Sequence, residues 1–379
     1  MAKKDERKFY DIVPLLETES LYNLIIGRRS NGKSYAVKYL MLWEAYNGCD
    51  YLEWIRTKEM VPKDRYQMAY IRRYNTDIKT KSVEAYFSDM PISEITHGEY
   101  NTVVFYRKEI FFANVDDDLK VERGKKIGNA FDLAGCQHYK SLSYPFIGNL
   151  VYEEFLPEDG HYLPNEVGDL VSIMSTILRL DFGRIFMVAN TVYPDSPFFN
   201  EWQLTNIDRQ KPGTIDIYNQ ETGVLDEDGD EITVKVAVEF VGDDVAPKTN
   251  MFFGNSARIT MASEWSCNQY PHLIGKLNDY RCVYKVLYKY NRFSFMINLL
   301  VDPETKQPFV YVYPSTKENG IKRIVTTEWS TNPLITDSLT PVTKYGTILL
   351  ELIDKQRVVF SSNLDGTKFY SIIKERGKL

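Results

Sequence analysis

The stretch Gly27-Arg28-Arg29-Ser30-Asn31-Gly32-Lys33-Ser34 limits what this chain can fold into more than any other. It has the spacing GxxxxGKS. It joins the apolar run Leu21 to Ile26 to the segment Ser34 to Tyr46, where apolar residues recur at helical spacing. A strand that feeds a helix through a glycine-punctuated loop is the unit from which α/β sheets are built. Binding a triphosphate takes several backbone amides turned inward, and glycine at Gly27 and Gly32 permits that curl. Lys33 supplies a charge for the β and γ phosphates, and the Ser34 hydroxyl reaches magnesium. The following helix turns its positive end to the same place. This Walker A loop, with Arg28, Arg29, Ser30 and Asn31 lining it, predicts ATP and Mg2+ as the bound pair.

The rest of the first half alternates strand and helix, as in a mostly parallel sheet covered on both faces. Met68 to Ile71 reads as the next strand, after a charged, irregular insertion from Asn47 to Arg65. Thr102 to Tyr106 and Ile110 to Ala113 read as a hairpin at the margin of the sheet. Asn149 to Tyr152 is an apolar strand ending in Glu153-Glu154. Placed beside the loop-bearing strand, it sets Glu153 over the magnesium and Glu154 as general base for a water. An exposed acidic strand end is the plainer reading of the same residues.

Asn165 to Leu178 carries Val167, Leu170, Val171, Met174, Ile177 and Leu178 on one helical face. Arg179 follows, before the turn Asp181-Phe182-Gly183. It is either a finger offered to the phosphoryl group of a neighbouring subunit or a solvated arginine at a helix end. Arg184 to Asn190 is a strand whose terminal amide can sense the γ phosphate or merely start a turn.

The second half has strand-and-turn character. Thr233 to Val238 alternates at period two, and the acidic Asp226 to Glu231 before it suits a turn better than a calcium loop. Further β-type runs are Cys282 to Tyr288, Phe293 to Leu300 and Phe309 to Tyr313. Helices are expected around Thr347 to Lys355 and near the C-terminus. With 379 residues the chain exceeds one ordinary core. The expected division is 1–210 for the ATPase domain, 211–250 for a connector and 251–379 for a smaller, β-rich domain.

Four scattered cysteines without a CxxC pair suggest neither zinc nor a disulfide framework. No run approaches the roughly 18 apolar residues of a membrane span, and no signal-peptide pattern opens the chain, so the expected location is the cytoplasm. A net charge of −6 argues against a surface that is basic throughout. The candidates for phosphate contacts with DNA are Arg72 and Arg73, interleaved with Tyr70 and Tyr74, and Arg123, Lys125 and Lys126 around Gly124 in a loop. Each is equally well read as part of a solvated face.

The order of several segments resembles the encapsidation ATPases of small, protein-primed, short-tailed bacteriophages. They are Ile25 to Ala36, Tyr70-Ile71-Arg72-Arg73-Tyr74, Tyr139-Lys140-Ser141 with Tyr144-Pro145, Val151-Tyr152-Glu153-Glu154-Phe155 and Tyr162 to Val167. The similarity covers about residues 15–195. It implies a RecA-like, additional-strand (ASCE) ATPase that forms a homopentameric ring at the portal vertex of a procapsid in the host cytoplasm. It also implies translocation of double-stranded DNA and, in some members, a structural packaging RNA. The C-terminal domain is implied to resemble an RNase H-like nuclease without cleavage activity.

Family roles fall on Lys33 and Ser34 for phosphate and magnesium and on Glu154 as catalytic acid. Arg179 takes the finger role, and Lys140 that of a second basic residue near the nucleotide or the subunit boundary. Glu153 departs from the family, which usually has aspartate there. On the residues alone, a helicase, a helicase loader or a non-hydrolysing nucleotide-binding structural protein remain alternatives.

Overall fold

The computed structural model describes residues 10–140, 142–158, 160–179, 183–191, 195–225, 229–242, 265, 267, 269–290, 293–318, 321, 323–326, 335–336 and 343–376, with the side chains of 374–376 excepted. Asp181, Phe182, Asp226, Glu227, Asp228 and all of 243–264 lie outside the described residues. The chain divides into two units, 1–192 with 206–264, and 193–205 with 265–379.

The first unit is built on a nine-stranded sheet. Its strands are Tyr22–Gly27 (β1), Gln67–Arg72 (β2), Thr102–Tyr106 (β3), Glu109–Val115 (β4), Val121–Asp132 (β5), Ile147–Glu153 (β6), Arg184–Asn190 (β7), Thr214–Leu225 (β8) and Glu231–Phe240 (β9). They lie in the order β3-β4-β5-β2-β6-β7-β1-β9-β8. Neighbours from β5 through β9 pair in parallel, while β4 and β8 run antiparallel to β5 and β9. A parallel sheet must be covered on both faces, so its central strands are apolar without alternation. β6, buried at every position, follows that rule.

Coverage comes from the helices Val13–Leu16 (α1), Lys33–Asn47 (α2), Tyr51–Thr57 (α3), Thr80–Phe87 (α4), Ile92–Ile95 (α5) and Glu166–Leu178 (α6). α2 buries Val37, Leu40, Met41, Leu42 and Trp43. α6 buries Val167, Leu170, Ile173, Met174, Ile177 and Leu178; of the face expected from its spacing, Val171 is instead exposed, and Ile173 is buried in addition.

Two expectations need correction. The strand ending in Glu153-Glu154 is not beside the loop-bearing strand, because β7 lies between β6 and β1. The insertion after Asn47 is not irregular: Asp50 accepts a hydrogen bond from the Glu53 amide at 3.1 Å and so caps α3. Within the expected connector, Thr214–Leu225 and Glu231–Phe240 are strands of this sheet. β9 joins the sheet against β1, with Tyr22 opposite Val236, and β8 closes the edge, because Val236, Ala237 and Val238 are apolar enough to be buried.

At that edge the Tyr10 hydroxyl donates to Glu239 Oε2 at 2.6 Å. Burial pushes the Glu239 carboxyl up to about 7, with Asp11 adding to the effect and the Tyr10 hydrogen bond opposing it. Between the ordinary 4.5 and about 7 the folded chain holds a proton that the unfolded chain has released, so stability falls as pH rises through that window. Glu239→Gln is therefore expected to flatten the pH dependence between those values. At pH 8 it should raise the melting temperature by about 2–4 °C. Melting curves from pH 4 to 8 test this, and an unchanged slope would count against it.

The second unit has a six-stranded sheet of Arg281–Tyr290 (β10), Phe293–Val301 (β11), Pro308–Pro314 (β12), Arg323–Val325 (β13), Ile335–Thr336 (β14) and Val358–Phe360 (β15), in the order β14-β13-β10-β11-β12-β15. β10, β11 and β12 form an antiparallel meander, and β13, β14 and β15 add in parallel. Among the described residues its α-helices are Pro197–Glu201 (α7), Lys344–Asp354 (α8) and Asn363–Arg376 (α9). Phe295, Ile297, Leu299, Val310, Leu349, Ile353, Phe360 and Phe369 form its core. Asp302 sits in the β11–β12 turn, where its carboxylate accepts from the Glu304 and Thr305 amides, each at 2.8 Å.

Candidate functional site

The carboxyl ends of β1, β6 and β7 open into a cleft of about 280 Å³. β1 ends at Gly27, and the loop that follows turns into α2 through Gly32, whose φ of 91° is left-handed and favours glycine. A side chain at Gly27 would press on Asn31 and Val241, each at 3.0 Å. The loop is thus held tight against its own strand, and the first amides of α2 face the cleft.

Lys33 is buried, and its Nζ donates to the carbonyls of Arg28 at 2.7 Å and Gly27 at 3.1 Å. Asn31 Oδ1 accepts from it at 3.1 Å and Asn190 Oδ1 at 3.5 Å. Burial pushes the Lys33 ammonium down to about 7; Glu153 opposes that shift and Arg29 adds to it. The Asn31 side-chain amide Nδ2 is buried without a hydrogen-bond partner, a donor that a phosphate oxygen would satisfy. Asn190 ends β7 directly opposite Gly27 in the sheet.

Glu153, the last residue of β6, is also buried. Its Oε2 accepts from Ser34 Oγ at 3.2 Å, and its Oε1 from the Tyr86 hydroxyl at 2.7 Å. Burial pushes its carboxyl up, against the hydrogen bonds of Tyr86 and Ser34 and the charge of Arg72. Adjacent ligands of octahedral Mg2+ at 2.0–2.1 Å stand about 2.9 Å apart, so Ser34 Oγ and Glu153 Oε2 suit that ion as hard oxygen donors. Glu154 is next along the chain with a left-handed φ of 57°, and its side chain is 64% exposed. It lines the cleft while ion-paired to Arg72 at 2.8 Å.

The remaining candidates separate. Arg29 pairs with Glu158, on the stretch after β6. Arg73 is not a surface cation for DNA. It is buried in a two-pronged pair with Glu166 at 2.7 and 2.8 Å and also donates to the Phe155 carbonyl at 3.0 Å. Removing one partner of a buried pair costs about 3–5 kcal/mol, which makes Arg73 a strut under the loop after Glu154. Arg72 is engaged by Glu154. Arg123, Lys125 and Lys126 lie not in a loop but on β5, which continues the hairpin from β4. Lys126 pairs with Glu109 at 2.5 Å, and Lys125 donates to the Tyr46 carbonyl at 2.8 Å. Arg123 is exposed and stacks over the Tyr106 ring at 4.2 Å.

Lys140 is exposed just after the turn of 3-10 helix Leu133–Tyr139 and is not part of the cleft lining. Arg179 is exposed at the C-terminal end of α6. α6 links the end of β6 to the start of the parallel β7, so Arg179 lies at the edge of the sheet opposite the cleft. That is a strand length away, about 20 Å. Tyr86, Lys38 and Asp89 belong to the site or its support and carry no signal in the sequence, while Glu166 falls in the segment Tyr162 to Val167 without its pairing being visible there.

Fold and site together define a mixed α/β protein whose central parallel strands bring a glycine loop, lysine, serine, glutamate and asparagine to one cleft. Residues 4–221, more than half of the chain, match the podovirus DNA encapsidation protein (Gp16) family, and the chain belongs to that family. It is 29% identical over 198 residues to the DNA packaging proteins of Bacillus phages PZA and phi29, which is 52% of this chain and 50% of each relative. The chain thus spans about half the length of the curated relatives it matches. Among solved structures it resembles a chain of the bacteriophage Phi-29 viral genome packaging motor assembly. The TM-score is 0.55 and the identity 19%, with 97% of this chain and 99% of that one covered, a likeness of fold. Among the described residues no helix is long and apolar enough to cross a membrane.

Proposed function

We propose that this chain is an ATP-hydrolysing subunit of a ring-shaped motor that drives double-stranded DNA into a procapsid. The observation that carries the reading is the convergence of Lys33, Ser34, Glu153 and Asn190 on one cleft from β1, β6 and β7. ATP lies along the loop Gly27 to Ser34, with Lys33 turned from the loop carbonyls to the β and γ phosphates. Ser34 and Glu153 would hold Mg2+, and the ion would supply positive charge to neutralise the phosphates. Asn190 orients the γ phosphate or the water, and Glu154, once released by Arg72, takes the proton from that water.

The strand inserted between β1 and β6 supports a RecA-like, additional-strand ATPase core. The meander flanked by parallel strands supports an RNase H-like second unit. Arg179, too far from the cleft of its own subunit, acts as a finger on a neighbour, with Lys140 at the same boundary. Self-association into a pentamer then places the ring at the portal vertex in the host cytoplasm, with a structural packaging RNA as a further partner. Among the DNA candidates the exposed Arg123 suits a phosphate contact best.

The test is ATP-dependent protection of DNA from nuclease inside purified procapsids. Protection is expected only with this protein, ATP and magnesium together. ATPase stimulation by single-stranded rather than duplex DNA, without protection, would favour a helicase instead.

A further inference from the structure

The geometry points to Tyr86 as a positioning residue for the metal-side carboxylate: its hydroxyl fixes Glu153 Oε1, so that Oε2 is the oxygen turned to Ser34 and the ion. This rests on the nucleotide reading above and adds to it a residue that makes no contact with nucleotide or metal.

The two oxygens of Glu153 are divided between two partners, Tyr86 at 2.7 Å and Ser34 at 3.2 Å. A glutamate has one more rotatable bond than the aspartate that the family resemblance leads one to expect here, so more side-chain entropy is lost in holding it still. A second hydrogen bond on the oxygen facing away from Ser34 supplies that hold. Donors placed behind a metal-bound carboxylate orient it and tune its affinity in just this way.

Tyr86 is itself held on several sides. Its ring lies 4.6 Å from that of Tyr70 and 4.9 Å, edge-on, from that of Phe87. Lys38 Nζ sits 4.8 Å from the ring, donates to the Tyr86 carbonyl at 2.7 Å and pairs with Asp89. Lys38 stands four residues after Ser34, one turn further along α2. The helix that presents the serine hydroxyl therefore also anchors the tyrosine that aims the carboxylate at it.

The test is the Mg2+ concentration giving half-maximal binding of a fluorescent ATP analogue to the full chain. Tyr86→Phe keeps the ring packing and removes the hydroxyl. It is expected to raise the half-saturating Mg2+ about tenfold or more, with analogue binding in EDTA unchanged. Glu153→Asp is the second variant: the shorter acid cannot span both partners, so adding Tyr86→Phe to it is expected to change the value by less than about twofold. Wild-type Mg2+ dependence in Tyr86→Phe, or an equal factor in both backgrounds, overturns the assignment. Absence of saturable binding to the wild-type chain overturns the nucleotide reading itself, a result distinct from either.

Discussion

Glu154→Gln protein is expected to bind ATP with magnesium as the wild type does and to hydrolyse it about 100- to 10,000-fold more slowly. The amide keeps the size and polarity of the side chain but cannot accept a proton from water at neutral pH. The backbone supports this role. Glu154 follows the buried Glu153 on β6, its amide donates to the Val188 carbonyl at 2.9 Å, and its left-handed φ swings the side chain towards the mouth of the cleft. Non-glycine residues in that region cost of order 1–3 kcal/mol, and such strain gathers at functional sites. The pair with Arg72 at 2.8 Å holds the carboxylate at the rim, and in the proposed mechanism that pair opens before the carboxylate meets the water. Single-turnover phosphate release alongside nucleotide binding separates the two steps. Wild-type turnover in Glu154→Gln would remove Glu154 from the chemistry and favour a different base.

Arg179→Ala is expected to leave ATP binding intact and to lower hydrolysis by about a thousandfold or more. A guanidinium that stabilises the transferring phosphoryl group is worth that much, whereas a solvated arginine at the end of α6 is worth almost nothing. Position decides how it acts. The carboxyl edge of the sheet carries Lys33 and Glu153, and α6 returns the chain to the amino edge before Arg179. The arginine can serve a cleft only in another copy. Mixing Arg179→Ala with wild-type protein should then depress activity more steeply than the fraction of variant, because one defective subunit disables its neighbour. Activity falling in simple proportion would rule out a finger in trans.

Local order was legible in the residues, and long-range neighbourhood was not. The Gly27 to Ser34 loop, β7 from Arg184 to Asn190 and the buried face of α6 follow from spacing that each segment carries within itself. The adjacency of β7 to β1 does not, since strand order is set by how the crossovers pack rather than by any strand's own pattern. The place of the β8–β9 hairpin in the sheet was hidden for a similar reason. Half of its length is exposed, and only Val236 to Val238 and Phe240 are buried. Arg73 looked like a surface cation because nothing near it in sequence discloses Glu166, its partner across the fold. Tyr86 had no signal at all, since its role exists only through a contact between helix α4 and Glu153 on β6.

The most direct test of the nucleotide cleft is equilibrium binding of ATP in the presence of Mg2+ to wild-type chain and to Lys33→Ala, with the thermal stability of both recorded. Lys33 is buried among loop carbonyls, and charge-assisted hydrogen bonds from it to phosphate are worth about 1.5–3 kcal/mol each. Saturable binding by wild type and a loss of about a hundredfold or more in a folded Lys33→Ala protein are the expected results. Equal affinity in the two proteins would contradict a triphosphate held by this loop.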